Sequence, residues 1–311
     1  MEATAPDILS EPWPALPYNQ WSDTCSTLQL WMQIVGKVRL ALTPHINHTW
    51  NVTLYPTIRG VTTSPMACGA RMLQIDFDFL DHALRLQSHA GEQAVIPLQA
   101  MSVADFYGRV MQALEQLECP VRIWPKPVEI PAPIPFEQDT QHCSYDPEFA
   151  QRFWRVLLQT TRVFTVFRSR FRGKVSPTHL FWGAMDLACT RFSGRTAPQH
   201  QSMPGLPDSV TRDAYSHEVS SCGFWPGGLG IDAMFYSYAY PEPPGFANYS
   251  IAPSPASYSK ELGEFMFPYE ALRQSPDPDG ALLDFLQTTY EAAANLAKWD
   301  RTALEVNPTE R

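Results

Sequence analysis

Two segments of the chain carry the same residues in the same order. Residues 36–65 read GKVRLALTPHINHTWNVTLYPTIRGVTTSP, and residues 173–198 read GKVSPTHLFWGAMDLACTRFSGRTAP. Each opens with Gly-Lys-Val (Gly36, Lys37, Val38; Gly173, Lys174, Val175). Each then runs through a Pro (Pro44, Pro177), a Trp (Trp50, Trp182), a Thr (Thr57, Thr190) and an Arg (Arg59, Arg191) to a closing Pro (Pro65, Pro198). Trp and Arg stand equally far apart in both, and the obvious difference is a short insertion after the first Gly-Lys-Val. Such a chain reads as two similar fused halves related by a pseudo-twofold axis. Ligand sites favour the junction between such units.

Periodicity gives each half the same plan. Ser22 or Asp23 can cap a helix reaching Leu42, with Leu28, Trp31, Met32, Val35 and Val38 inward. Trp50 to Arg59 reads as a strand. Met72 to Leu80 alternates, with Ile75, Phe77 and Phe79 on one face and Asp76 and Asp78 on a solvated one. Strands follow at 83–88 and 93–98, then a helix opened by Ser102 and Asp105, then a short strand at 121–124. In the second half Asp146-Pro147 starts a helix reaching about Phe171. Strands follow at 179–192, 215–224 and 234–240, with an edge strand at 264–267 and a last helix capped by Asp279. The class is α+β, each half helix–antiparallel strands–helix, the two sheets pairing edge to edge or face to face. The expected divisions are a Pro-rich arm at 1–20, a first half at 21–124, a linker at 125–145, a second half at 146–300 and a tail at 301–311. The run PKPVEIPAPIP within that linker favours extended, semi-rigid backbone.

Composition excludes several classes. With 44% hydrophobic and 18% charged residues the chain is an ordinary folded protein. A net charge of −9 opposes a nucleic-acid surface. No apolar run approaches the ~20 residues of a membrane helix, so no membrane partner is expected. The six cysteines lack Cys-x-x-Cys spacing, and the N-terminus has neither a basic nor an apolar leader segment. Both observations point to a cytoplasmic protein with reduced thiols.

The candidate site residues come from the second copy and its surroundings. His217 and Glu218, ahead of a Gly/Trp/Pro loop, can supply a general base or a metal ligand. As strand neighbours they serve one site only if the strand bulges. Asp186, in an apolar strand, requires a partner, for which Arg191 and Lys37 or Lys174 are the candidates. Trp50, His179, Trp182 and Trp225 complete the expected ligand-binding set. No His-x-His or HExxH spacing calls for a metal, so none is expected and no cofactor is assigned. Gly228–Ala233 matches the dinucleotide fingerprint only in its glycines, because a strand-like MFYSYAY follows where a helix is required. Tyr236, Tyr238 and Tyr240 form a one-sided stripe, either core or pocket wall.

In order, the blocks WPALP, TLQLWMQIVGKVRLAL, NHTWNVTLYPTIRGVTTSP, SPTHLFWGAMDLACTRFSGR and SHEVSSCGFWPGG resemble an uncharacterised bacterial family, a domain of unknown function, over about residues 12–300. The resemblance implies a free-standing cytoplasmic bacterial protein and carries no activity or catalytic residue. Gln29 stands where a His is expected, and no site role is drawn from that position. The expectation is a small-molecule pocket between the two halves, with metal-independent acid–base chemistry. The alternative is a non-catalytic protein-interaction module whose aromatic residues dock a partner.

Overall fold

The computed structural model describes residues 11–201 and 207–306, so the ends of the expected arm and tail, 1–10 and 307–311, lie outside the described residues. In chain order the first half comprises α1 (Tyr18–Leu42), β1 (Tyr55–Thr57), β2 (Gly60–Thr62), β3 (Met66–Cys68), β4 (Arg71–Asp78), β5 (Ala83–Ser88), β6 (Gln93–Pro97) and α2 (Val103–Gln116). After the linker come α3 (Pro147–Ser169), β7 (His179–Phe181), β8 (Asp186–Thr196), α4 (Asp208–Ala214), β9 (His217–Trp225) and β10 (Met234–Tyr240). The chain closes with β11 (Ser257–Ser259), β12 (Glu264–Pro268), α5 (Tyr269–Arg273), α6 (Pro278–Leu296) and α7 (Arg301–Leu304). The molecule is thus α+β, with two antiparallel sheets. No helix among the described residues is long and apolar enough to cross a membrane.

The first sheet runs β1-β2-β4-β5-β6, with β3 also on β4, and the second runs β11-β12-β10-β9-β8-β7. Both are largely meanders, but the second reverses β11 and β12 at its far edge. The expected match of strand order between halves is not met there. The sheets meet edge to edge through one bridge, where Leu54 and Leu180 exchange both backbone hydrogen bonds at 2.9 and 2.8 Å.

Helix α1 is central. Its middle is buried on every side, including Gln33, Lys37 and Arg39, as expected of a helix packed between layers. It starts earlier than Ser22 because Asp232, far along the chain, accepts the Tyr18 amide at 2.9 Å. Trp31 stacks on Phe106 of α2 at 4.6 Å, and Trp21 packs on Phe149 and Phe153 of α3. A Gly-Lys pair reads in sequence as a helix end, but Gly36 does not end this helix. It lies inside it, where an added Cβ would sit 2.3 Å from the Trp182 ring. The glycine is there for close approach, which is how the second half docks on the first.

Other local expectations are revised. Residues 47–52 form a kinked 3-10 turn, with His48 and Thr49 in the left-handed region, so the strand expected from Trp50 to Arg59 is confined to Tyr55–Thr57. Residues 121–124 take no regular structure. The expected strand 179–192 is a hairpin that turns at Trp182–Met185. Asp78 is buried, not solvated, and its carboxylate is gripped by Arg59 at 2.7 Å and Arg85 at 3.2 Å. Asp277, not Asp279, caps the last long helix. Cys68 and Cys119 form a disulfide, so the thiols are not all reduced, while Cys25, Cys143, Cys189 and Cys222 are free. The described part of the arm lies on the body, with Trp13 and Leu16 buried and Trp13 Nε1 donating to Asp279 at 3.1 Å.

Candidate functional site

Alternation along the second sheet sorts its side chains onto two faces. Leu187, Cys189, Arg191, Cys222, Phe224, Phe235, Phe265 and Phe267 are buried and point toward α3 and α6. The other face carries Asp186 on β8, Trp225 on β9, Tyr236 and Tyr238 on β10 and Glu264 on β12, none of them fully buried. These side chains are enclosed by protein on most sides yet keep contact with solvent. This half-buried face is the candidate cleft.

Small residues open it. Gly223 of β9 pairs with Tyr236 on one side and Ala188 on the other. A Cβ at Gly223 would sit 2.3 Å from the Tyr236 hydroxyl oxygen. Tyr236 therefore lies flat across β9 and donates its hydroxyl proton to Asp186 Oδ2 at 2.5 Å. At the rim, Glu129 of the linker places its carboxylate over Gly183, whose hypothetical Cβ would meet Oε1 at 1.9 Å. Gln29 and Gln33 of α1 hold that turn by donating to the Gly183 carbonyl at 2.6 and 3.1 Å. Gln33 also exchanges both hydrogen bonds with the Val128 backbone, at 2.8 and 2.9 Å, and Lys37 Nζ donates to the Lys126 carbonyl at 2.8 Å. Gln29, Gln33 and Lys37 are spaced four apart on one stripe of α1, so a single helix face fixes the linker.

The electrostatics are set by crowding. Burial pushes the Asp186 carboxyl up to about 6, opposed by the hydrogen bond from Tyr236. Burial raises Glu264 and Glu129 each to about 7, with repulsion from Asp186 adding to both. Glu129 is the most exposed of the three, so water relieves its shift most readily. Burial also raises Tyr236, Tyr238 and Tyr215, and the Tyr215 hydroxyl donates to Tyr238 at 3.3 Å.

The candidates read from the sequence divide among several places. Asp186 and Trp225 belong to the cleft, since Leu187 pairs with Phe224 and Trp225 stands one position beyond, level with Asp186. Trp50, His179 and His217 gather at the other end of the same face, around His48: Trp50 lies 5.2 Å and His217 5.9 Å from the His48 ring, and His179 6.0 Å from Trp50. His48 at its centre is satisfied on both ring nitrogens. The His48 Nδ1–H donates to the Asp213 carbonyl at 3.0 Å, and Nε2 accepts from Lys174 Nζ at 2.6 Å. Asp213 also accepts the Thr49 amide at 2.8 Å, holding the left-handed pair in place. His179 is fully buried without a partner for either ring nitrogen, and burial drives it down to about 3.

Trp182 packs on Gly36 and donates to the Val52 carbonyl at 2.8 Å, a docking role. Glu218 points to the opposite face from His217 and accepts from Arg195 at 2.6 and 2.9 Å; Arg195 in turn reaches the Ala297 carbonyl. Arg191 is not the partner of Asp186. It lies on the core face, stacked 3.4 Å over Phe167. Among the described residues no three His, Cys, Asp or Glu side chains are arranged to hold a metal ion. The sequence reading missed Glu129 and Glu264. The signal for Glu129 was present: it is the lone acid in VEIPAPIP.

Fold and site together define an α+β protein with two edge-joined antiparallel sheets, one of which carries a carboxylate–tyrosine cleft. The chain belongs to DUF5996, described as a family of unknown function, whose model matches residues 13–306. No curated protein and no solved structure matches the chain.

Proposed function

We propose that the protein binds a small polar molecule in the cleft on the second sheet. Asp186, Glu129 and Glu264 would supply metal-independent acid–base chemistry there. One observation carries the reading: Asp186 of β8 and Glu264 of β12 share one half-buried face of the sheet, Glu129 of the linker lies over the adjoining turn at Gly183, and burial pushes Asp186 up to about 6 and Glu264 up to about 7. Such groups divide between acid and base near neutral pH, as proton-transfer catalysts need to. Asp186, braced by Tyr236, is the central group, and the roles first assigned to His217 and Glu218 pass to it. Because Glu129 belongs to the linker and the turn it covers is held by α1, both halves contribute to the cleft. A protein-interaction module would instead call for Trp182, Trp225 and the tyrosine stripe to be packed shut; Trp182 is, whereas the partial exposure of Trp225, Tyr236 and Tyr238 supports the ligand cleft.

Three finer assignments belong to the same proposal. A duplicated origin is supported by the paired Gly-Lys-Val segments and opposed by the difference in strand order. A bacterial cytoplasmic location rests on the block resemblance, and the Cys68–Cys119 disulfide stands against it. The absence of a nucleic-acid partner rests on the charge of −9 and the acidic cleft.

The test is a side-chain carboxyl NMR titration. Midpoints near 6 for Asp186 and near 7 for Glu264 support the proposal; midpoints in the ordinary carboxylate range remove its basis. A thermal-shift screen of small polar metabolites then supplies ligands, whose effect should vanish in Asp186→Asn and persist in Glu218→Gln.

A further inference from the structure

The second face of the same sheet holds an unusual charge. Arg191 is 1% exposed. Its guanidinium is caged by three rings, 3.4 Å from Phe167, 4.3 Å from Tyr290 and 4.9 Å from Phe171. Nη2 donates to the Phe167 carbonyl and Nε has no partner. Ring faces attract a cation, but they do not replace the charge-assisted hydrogen bonds that a buried guanidinium gives up on leaving water.

Arg191 lines a cavity of about 550 Å³ together with Arg170, Arg301, Gln287, Glu291, Glu305 and Val306. Three cations face two anions there, and both anions are already taken. Glu305 accepts from Arg301 Nε at 2.6 Å, and Glu291 lies 3.3 Å from Arg301 Nη2. Among the described residues neither Arg170 nor Arg191 has a carboxylate within ion-pair distance. The cavity also exposes a missing donor. Gln287 gives its Nε2 proton to Glu291 at 2.9 Å, and its Oε1 is buried without a partner.

We propose that this cavity is a second binding site, separate from the cleft, for a small anion that also carries a hydrogen-bond donor: a hydroxy acid or a phosphate ester. The anionic end pairs with Arg191 and Arg170, whose planar forks suit carboxylate and phosphate oxygens alike. The donor satisfies Gln287 Oε1. The Glu291–Arg301–Glu305 chain walls the site.

The full chain tests this by differential scanning fluorimetry and calorimetry with three probes: citrate, glycerol 3-phosphate and inorganic phosphate, against sodium chloride at equal ionic strength. Expected is a saturable rise in melting temperature with at least one probe, beyond that given by chloride. A response to citrate alone identifies a carboxylate site, and a response to either phosphate probe identifies a phosphate site. Affinity should fall by about tenfold or more in Arg170→Gln, a partly exposed residue whose loss leaves the core intact. Arg191→Met keeps the volume between the rings and should fold but bind no probe; should it fail to fold, Arg170→Gln and Gln287→Leu carry the test. Probe responses no larger than that of chloride overturn the proposal, as does full affinity in Arg170→Gln.

Discussion

At the residue scale, two carboxylates that look alike in the sequence have different surroundings. Glu218 is satisfied by Arg195, a partly exposed pair tying β9 to the end of α6, and such pairs contribute little to stability. Asp186 is crowded and its pKa is raised, so it stabilises the fold least when ionised. The stability present below its unfolded pKa, near 4, is lost as pH rises through about 6. Asp186→Asn should therefore melt higher than the wild type at pH 8, by about 3 kcal/mol in stability, and lose that advantage by pH 4. Glu218→Gln should change little at either pH. Equal melting of Asp186→Asn and wild type at pH 8 would show that the carboxyl is not strained. His179 has the opposite sign. Its pKa is depressed to about 3, so stability is complete above its unfolded value near 6.5 and is lost as pH falls toward 3. His179→Phe should move the midpoint of acid unfolding to lower pH, as followed by tryptophan fluorescence; an unmoved midpoint would place the acid sensitivity elsewhere.

At the element scale, what was legible was what neighbours in sequence decide. The apolar stripes of α1, α2 and α3, the Ser102 and Asp146 caps and the alternation of β4 from Leu73 to Phe77 appear where their periods place them. Distant contacts decide the rest. The 47–52 turn depends on Asp213 and Lys174, the start of α1 on Asp232, and the hairpin at Trp182–Met185 on Gln29 and Gln33. No local pattern encodes such partners. Gly36 shows the cost of reading locally, since a helix-ending glycine and one that admits a ring look alike in sequence. In an exposed helix, Gly→Ala gains about 0.5–1 kcal/mol. Gly108 in α2, with open space at its Cβ, should show that gain. Gly36→Ala should instead lose about 1–3 kcal/mol, because the Trp182 ring must move. Urea midpoints of the two variants check both signs; a stabilising Gly36→Ala would mean that Trp182 has room to yield.

At the scale of the whole molecule, the halves are interlocked. Trp154 of α3 donates to the Thr57 carbonyl at 2.8 Å, Asp146 takes its amide partner from Thr24, and Leu54 pairs with Leu180. Expressed alone, 21–124 and 146–300 should each lack a cooperative thermal transition, and mixing them should restore one. A dispersed amide spectrum from either fragment would show a self-sufficient domain. The candidate site was only partly legible for the same reason: Asp186 and Trp225 lie within one sheet, but Glu129 reaches them from the linker. The grip of α1 on that linker has a further consequence. Gln33 and Lys37 hold its main chain, not its side chains. Lys126, exposed, can therefore be replaced without disturbing that grip, whereas Pro127 is buried and Val128 packs against the core, so their side chains answer to their surroundings as well. The route is written in the helix, and the linker merely travels it.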